Sequence, residues 1–329
     1  MTAPLETSAD AKLVTVFGGS GFLGRQVVRA LAHRGFRIRA ACRRPDLAGQ
    51  LQPSGGVGQV MSVQANIRRD HRWSIERAVE GADAVVNLVG ILAQSGKQTF
   101  DDVVADGAHM IAECAKKAGV DRMVHVSAIG ADDDSASGYA RAKARGESAV
   151  LTVLPRSVVL RPSVMFGPDD DFFNKLGKMA ALFPVMPLIG GGTTRFQPAY
   201  VRDVAEAVAI AVEGGAKAGT IYELGGPEVK TFRECVDLVC ASARRRPWLV
   251  NLPFPLAKLE AKVLQMLPNP LLTEDQVELL KSDNVVSQAA VDEGRTFAGL
   301  GVETTAIEAV LDAYLWRFRP QGQFDHSPA

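Results

Sequence analysis

Between Leu13 and Arg25 the chain passes from an apolar run, through glycines at Gly18, Gly21 and Gly24, into an amphipathic segment. No other stretch constrains the fold as much. A turn that tight needs backbone angles that only glycine reaches cheaply, and a side chain there would bar a pyrophosphate from the backbone. A helix starting at the turn would aim its unsatisfied N–H groups and the positive end of its dipole at such an anion. The stretch Gly18-Gly19-Ser20-Gly21-Phe22-Leu23-Gly24 is therefore read as a dinucleotide cradle between a buried strand and a helix.

The rest of the N-terminal half fits a sheet built around that unit. Apolar runs at 12–17, 36–42, 59–64, 84–88, 122–127 and 157–161 read as strands. Amphipathic patterns at 22–33, 74–79, 100–117 and 139–152 read as the helices between them. Strands this apolar, alternating with helices, imply a parallel sheet covered on both faces by right-handed crossovers. The expected class is α/β, a Rossmann doubly wound parallel sheet with a smaller C-terminal lid region. Beyond about residue 165 prolines and glycines become dense, with helices expected near 201–212, 232–243, 256–267 and 273–281. The expected division is a flexible N-terminus (1–11), a nucleotide domain (12–165), a lid or partner region interleaved with the sheet (166–318) and a tail (319–329).

The strand ends supply the other candidate site residues. After the second strand comes Cys42-Arg43-Arg44-Pro45. An NAD site normally places a carboxylate here for the ribose 2′-hydroxyl. Two guanidiniums instead suit a 2′-phosphate by charge and by fork geometry, so Arg43 or Arg44 favours NADP(H) over NAD(H). Asn66 and Ile67 end the third strand, where the amide suits either an adenine edge or a turn. Leu88, Val89 and Gly90 follow the fourth, and Gly90 permits close approach of a cofactor. Arg161, Pro162 and Ser163 close the sixth and are counted with the cofactor-binding residues.

Tyr139 and Lys143 are four apart, so a helix puts them on one face. A cationic Lys143 beside Tyr139 favours phenolate, which suits a general acid or base in hydride chemistry. Ser127, at the end of the preceding strand, is placed to orient a substrate carbonyl. The candidate catalytic set is Ser127, Tyr139 and Lys143. His125, inside an apolar strand, reads as a core histidine.

Lys+Arg and Asp+Glu both number 37, so nothing argues for nucleic acid as a partner. Cys42, Cys114, Cys235 and Cys240 form no metal-ligand spacing and are expected to be free thiols. The N-terminus shows no secretory signal or presequence pattern, so a cytoplasmic setting is expected. The proline-bounded, apolar stretch 252–272 reads either as lid core or as a surface that docks on a partner protein or a membrane.

Taken together, these residues resemble the extended short-chain dehydrogenase/reductase superfamily. The segments Phe17–Gly24, Val126–Gly130, Tyr139–Glu147, Leu160–Ser163, Phe166–Pro168, Phe196–Pro198, Val201–Val204 and Asp275–Asn284 are similar, more narrowly, to the nucleotide-binding accessory subunits of respiratory complex I and their bacterial relatives. That resemblance implies a tightly held NADPH with a stabilising, non-redox role. It also implies contact with quinone-site subunits of complex I, and a peripheral position on the inner side of an energy-transducing membrane. Because Ser127, Tyr139 and Lys143 are all present, an active NADPH-dependent reductase, epimerase or dehydratase, with a link to quinone metabolism among its forms, stands as the alternative.

Overall fold

Val14, Thr15, Val16 and Phe17 are all buried, so this segment must lie in a sheet covered on both faces. They form β1 (Leu13–Phe17) in the computed structural model, which describes residues 11–96, 98–265 and 272–324. The chain continues through α1 (Phe22–His33), β2 (Arg37–Cys42), β3 (Val60–Gln64), α2 (Arg72–Val79), β4 (Ala84–Asn87), α3 (Asp106–Lys117), β5 (Met123–Val126), α4 (Gly138–Val153) and β6 (Val158–Pro162). Then come β7 (Met165–Phe166), α5 (Phe172–Leu182), β8 (Val185–Ile189), β9 (Arg195–Phe196), β10 (Ala199–Tyr200), α6 (Val201–Glu213) and β11 (Ile221–Leu224). The last elements are β12 (Lys230–Thr231), α7 (Phe232–Ser242), β13 (Trp248–Leu252), α8 (Phe254–Leu264), α9 (Glu274–Leu279), α10 (Gln288–Asp292) and α11 (Glu308–Leu315).

The main sheet has seven strands in the order β11-β6-β5-β4-β1-β2-β3. Every pairing from β6 to β3 is parallel. Phe17, the last residue of β1, pairs with Ala41 of β2 on one side and with Asn87 of β4 on the other. The strand order reverses at β1, and a crevice opens at the carboxyl ends of strands at such a switch point. The doubly wound parallel sheet expected from the sequence is the fold observed.

Two compact units divide the chain. The first comprises residues up to Arg161 together with Val201–Glu223 and Ala289–Val302. Its core gathers Phe17, Ile75, Val79, Val85, Ile111, Met123 and Val150. In α1 the buried positions Leu23, Gly24, Val27, Val28, Leu31 and Ala32 recur at helical spacing, and this helix packs on α6. Arg34, just past α1, is ion-paired with Glu206 and Glu213 of α6. The second unit comprises Pro162–Tyr200, Leu224–Gln288 and the residues from Glu303 onward. Phe166, Phe173, Phe196 and Phe232 lie in its core with Leu311 and Tyr314. The Tyr314 hydroxyl donates to Asp170 at 2.6 Å, and Asp170 also accepts from the Gly167 and Asn174 N–H groups. Burial raises the pKa of both side chains.

Three local features depart from the sequence pattern. The helix expected over 100–117 opens with a π-helical turn at Asp101–Ala105, because apolar spacing alone does not distinguish i→i+4 from i→i+5 bonding. The strand β11 has four residues between Gly219 and Gly225, too short for alternation to stand out in a glycine-rich stretch. On α8, Ala257 and Ala261 are buried, whereas Leu256, Leu259 and Val263 are exposed. The helix thus turns these two alanines inward and Leu256, Leu259 and Val263 outward, while Phe254 at its start packs half-buried against the cluster of Ile189, Ala257, Ala261 and Val277. Residues 266–271 of the apolar stretch, the first ten residues and 325–329 lie outside the described residues.

A Cβ added at Gly24 would stand 2.1 Å from the Gly18 carbonyl oxygen and 2.7 Å from the Gly19 backbone. Backbone atoms cannot yield as a flexible side chain can, so Gly24→Ala is expected to destabilise the protein by about 2–4 kcal/mol. A Cβ at Gly49 would meet nothing within 4 Å, so Gly49→Ala is expected to stay within about 0.5 kcal/mol of wild type. Denaturant unfolding of both variants checks the contrast.

Candidate functional site

The glycine turn is held by backbone bonds. The Gly18 N–H donates to the Ala41 carbonyl at 3.1 Å and the Gly21 N–H to the Gly18 carbonyl at 3.0 Å. Gly18 takes φ +79°, which a side chain would oppose. At Gly19 a Cβ would press on Ala40 at 3.1 Å, and at Gly18 on the Leu88 backbone at 3.3 Å. The turn is therefore stacked on the ends of β2 and β4. Helix α1 has Gly21 as its N-cap, so no side chain caps it, and its first turn carries no acidic residue. The N-terminal N–H groups and the dipole of α1 are thus left to favour an anion, and a turn of glycines packed this closely keeps side chains from between its backbone and a dinucleotide pyrophosphate.

Leu88, Val89 and Gly90 extend the same surface. The Leu88 N–H donates to the Phe17 carbonyl at 3.0 Å, and the Val89 N–H donates to Asn87 Oδ1 at 3.0 Å. A Cβ on Gly90 would lie 3.6 Å from Lys143 Nζ, so the lysine reaches the end of β4. Lys143 is buried and donates to the Val126 carbonyl at 3.1 Å. The neighbouring Ser127 Oγ is buried and has no hydrogen-bond partner among the described residues. Ser137 caps α4 by accepting from the Ala140 N–H at 3.2 Å, which places Tyr139 in the first turn. The half-buried Tyr139 ring meets Phe100 edge-on, with centroids 5.7 Å apart, and lies 5.8 Å from Lys143 Nζ. Ser127, Tyr139, Lys143, Gly90 and the glycine turn are thus all carried by the first unit, at the carboxyl ends of its strands.

Burial sets the electrostatics. It pushes the Lys143 ammonium down to about 8, against an opposing pull from Glu147. It also holds His125 neutral, down to about 3, with Lys143 adding to the effect. Asn87 Oδ1 accepts from Val89, so its NH2 faces His125 Nδ1 at 3.1 Å. An amide NH2 only donates, which leaves the His125 proton on Nε2, a buried atom with no partner among the described residues. His125 thus lies in the sheet core, two residues before Ser127 on the same face of the chain.

The other candidates separate. Arg43 is exposed and donates to Gln98 Oε1 at 2.9 Å. Arg44 is bound by both oxygens of Asp46, at 2.8 and 3.0 Å, which raises the guanidinium and lowers the carboxyl. Asn66 forms a turn: its Oδ1 accepts from the Arg68 N–H at 3.2 Å. Ile67 is buried against Gly107, where a Cβ would meet it at 2.7 Å. Arg161 binds Glu147 through two bonds of 2.9 and 2.7 Å, with Glu223 at 3.8 Å. Pro162 and Ser163 fall in the second unit, where Ser163 Oγ donates to Asn284 Oδ1 at 2.7 Å. Two residues of the site, Glu147 and Gln98, are not among those the sequence pattern singles out. Glu147, four residues beyond Lys143 on the same helix, was detectable from that spacing. Gln98 sits in a polar loop 55 residues from Arg43 and gave no signal.

Strand order, glycine turn and the Tyr139–Lys143 pair define a dinucleotide-binding α/β protein, and comparison with known proteins narrows this. The model of the NAD dependent epimerase/dehydratase family matches residues 14–225. The mitochondrial NADH dehydrogenase [ubiquinone] 1 alpha subcomplex subunit 9 of Arabidopsis thaliana is 37% identical over 297 residues, covering 87% of this chain and 73% of that protein. The mitochondrial NADH-ubiquinone oxidoreductase 40 kDa subunit of Neurospora crassa is 32% identical, covering 98% and 84%. Among solved structures, an NADPH-dependent quinone oxidoreductase from Escherichia coli complexed with NADPH superposes with a TM-score of 0.70 at 19% identity, covering 92% of this chain and 98% of that one. The chain belongs to the NAD dependent epimerase/dehydratase family, and its relatives there include mitochondrial complex I subunits.

Lys143 offers a test of the site's electrostatics. Its folded pKa lies below the unfolded value of 10.5, so between about 8 and 10.5 the unfolded chain holds more protons. Wild-type stability should therefore rise with pH across that window, while below about 8 the full burial cost is carried. Lys143→Met carries no such cost and is expected to be more stable than wild type by roughly 1–3 kcal/mol at pH 7. The gap should close by about pH 10.5. Unfolding curves of both proteins from pH 7 to 10.5 check this.

Proposed function

We propose that this chain is an accessory or assembly subunit of respiratory complex I that holds NADP(H) as a structural, non-redox group. The observation that carries the reading is the likeness, over most of the chain, to mitochondrial complex I subunits, joined to an intact glycine cradle. Gly18 to Gly24 would hold the pyrophosphate, Arg43 the 2′-phosphate, and Tyr139 and Lys143 the nicotinamide ribose. Arg43 is preferred to Arg44 because its partner is a neutral amide, whereas Asp46 already compensates the charge of Arg44. The partners proposed are complex I subunits near the quinone site. The stretch 252–272 is proposed to touch the membrane surface, supported by the exposed Leu256, Leu259 and Val263 with Lys258 and Lys262 beside them. Among the described residues no helix is long and apolar enough to cross a membrane. The proposed location is peripheral, on the inner side of the energy-transducing membrane.

One observation favours a second reading, an active NADPH-dependent reductase, epimerase or dehydratase. Ser127 Oγ is buried without a partner beside Lys143, as a group reserved for a substrate carbonyl would be. In that reading the bound nicotinamide supplies the hydride, Tyr139 exchanges the proton, and Lys143 favours the phenolate.

Titration of the purified chain with NADPH and NADH tests the cofactor assignment. A charge-assisted hydrogen bond contributes roughly 1.5–3 kcal/mol, so Arg43→Asp is expected to weaken NADPH at least about tenfold and NADH far less. Arg44→Asp should have the smaller effect. Equal loss of both cofactors in Arg43→Asp would refute the phosphate role. Co-purification with respiratory-chain subunits, retained in Tyr139→Phe, is expected of the structural role. Oxidation of bound NADPH by a carbonyl or quinone panel, abolished in Tyr139→Phe, would instead establish the enzyme.

A further inference from the structure

The bond between Arg43 and Gln98 joins two places that are not neighbours in the sheet. Arg43 follows β2, and Gln98 lies in the loop after β4. These two strands flank β1, so their ends are about 10 Å apart at the usual strand spacing. A side-chain bond between them spans the carboxyl end of β1, where the glycine turn begins. Gln98 is not left to float. Ser95 and Gln98 exchange both backbone hydrogen bonds, at 3.0 and 3.1 Å, around a tight turn in which Gly96 takes φ +54°. Gln94 Oε1 then ties this loop to the Phe100 N–H at 3.0 Å, and Phe100 packs on Tyr139.

The chemistry of the partner matters as much as its position. An amide oxygen accepts one N–H of a guanidinium and leaves its charge uncompensated, with the rest of the fork available. A carboxylate would compensate that charge, as Asp46 does for Arg44 one residue away. We propose that Gln98 is a positioning residue that sets the 2′-phosphate preference: it holds Arg43 across the end of β1 while leaving its charge free for a phosphate. The proposal rests on the assignment of Arg43 to the 2′-phosphate under Proposed function. It adds a residue that no motif of the chain points to.

Dissociation constants for NADPH and NADH are measured on the full chain as wild type, Gln98→Glu, Gln98→Ala, Arg43→Ala and the double variant Arg43→Ala/Gln98→Glu. Thermal midpoints monitor folding, which these surface changes should leave intact. Gln98→Glu is expected to weaken NADPH about tenfold and leave NADH within about twofold, because the new carboxylate compensates Arg43. Gln98→Ala is expected to fall between, at about threefold for NADPH, by releasing the guanidinium without compensating it. In the Arg43→Ala background Gln98→Glu should cost nothing further, whereas direct repulsion of the phosphate by Glu would still show there. Equal loss of both cofactors in Gln98→Glu, or a further NADPH loss in the double variant, overturns the proposal. If Arg43→Ala removes the preference while neither Gln98 variant alters it, the positioning role fails and the Arg43 assignment survives. If Arg43→Ala leaves the NADPH to NADH ratio unchanged, the assignment itself fails and the proposal falls with it.

Discussion

The contact on which the site depends is between backbone and backbone: the first turn of α1 lies against the carbonyl of Gly18 with no room for a carbon atom at Gly24. That closeness fixes where α1 starts relative to β1, and so where its N-terminal N–H groups point. The same turn rests on the main chain of Leu88 and Val89, so β4 cannot end elsewhere without opening it. Through Gly90 the β4 end meets Lys143, and Lys143 binds the carbonyl at the end of β5. Three strand ends and two helices are thus located one from the next, the first links by backbone approaches that a side chain at Gly24 or Gly18 would disrupt, the last by the Lys143 hydrogen bond. Electrostatic recognition of an anion comes afterwards, on a scaffold already set by sterics.

Within that scaffold the protein keeps a charge where burial disfavours it. Lys143 is buried, and its compensation is indirect: Glu147, one helical turn on, is itself committed to Arg161 by two short bonds. A buried charge supported so incompletely is weak evidence for stability and better evidence for a ligand that needs it. The neutral His125 lies in β5, and the Ser127 hydroxyl, without a partner among the described residues, follows two residues on, just past the strand end. The structural and the enzymatic readings both require Lys143, since a ribose hydroxyl and a phenolate each call for a cation. They part at Ser127, because holding a cofactor gives its hydroxyl nothing to do, whereas a carbonyl substrate would.

The fold was legible in the sequence wherever periodicity was strong. The α1 span comes directly from the spacing of Leu23, Val27, Val28 and Leu31, and the glycine turn placed β1 before it. Pairwise commitments were not legible. That Arg161 is tied to Glu147, that Ser163 serves Asn284, and that Asn66 turns back on Arg68 are outcomes of three-dimensional proximity. A residue type at a strand end announces a capacity, and only the packed chain shows whether that capacity is already spent on a neighbour. The two arginines after β2 make the point at its sharpest: identical side chains, adjacent in sequence, one compensated by Asp46 and the other held by an amide.

The same reasoning bears on α8. An isolated subunit gains most by turning Leu256, Leu259 and Val263 toward its core and leaving Ala257 and Ala261 outside. The chain does the reverse, and at 55%, 63% and 65% exposure the three large side chains keep most of their apolar surface in water. Their spacing of three and four residues puts them on one stripe, with Lys258 and Lys262 adjoining it. A stripe this regular costs an isolated subunit apolar burial, and it is the kind of surface that the proposed peripheral position of this chain would use.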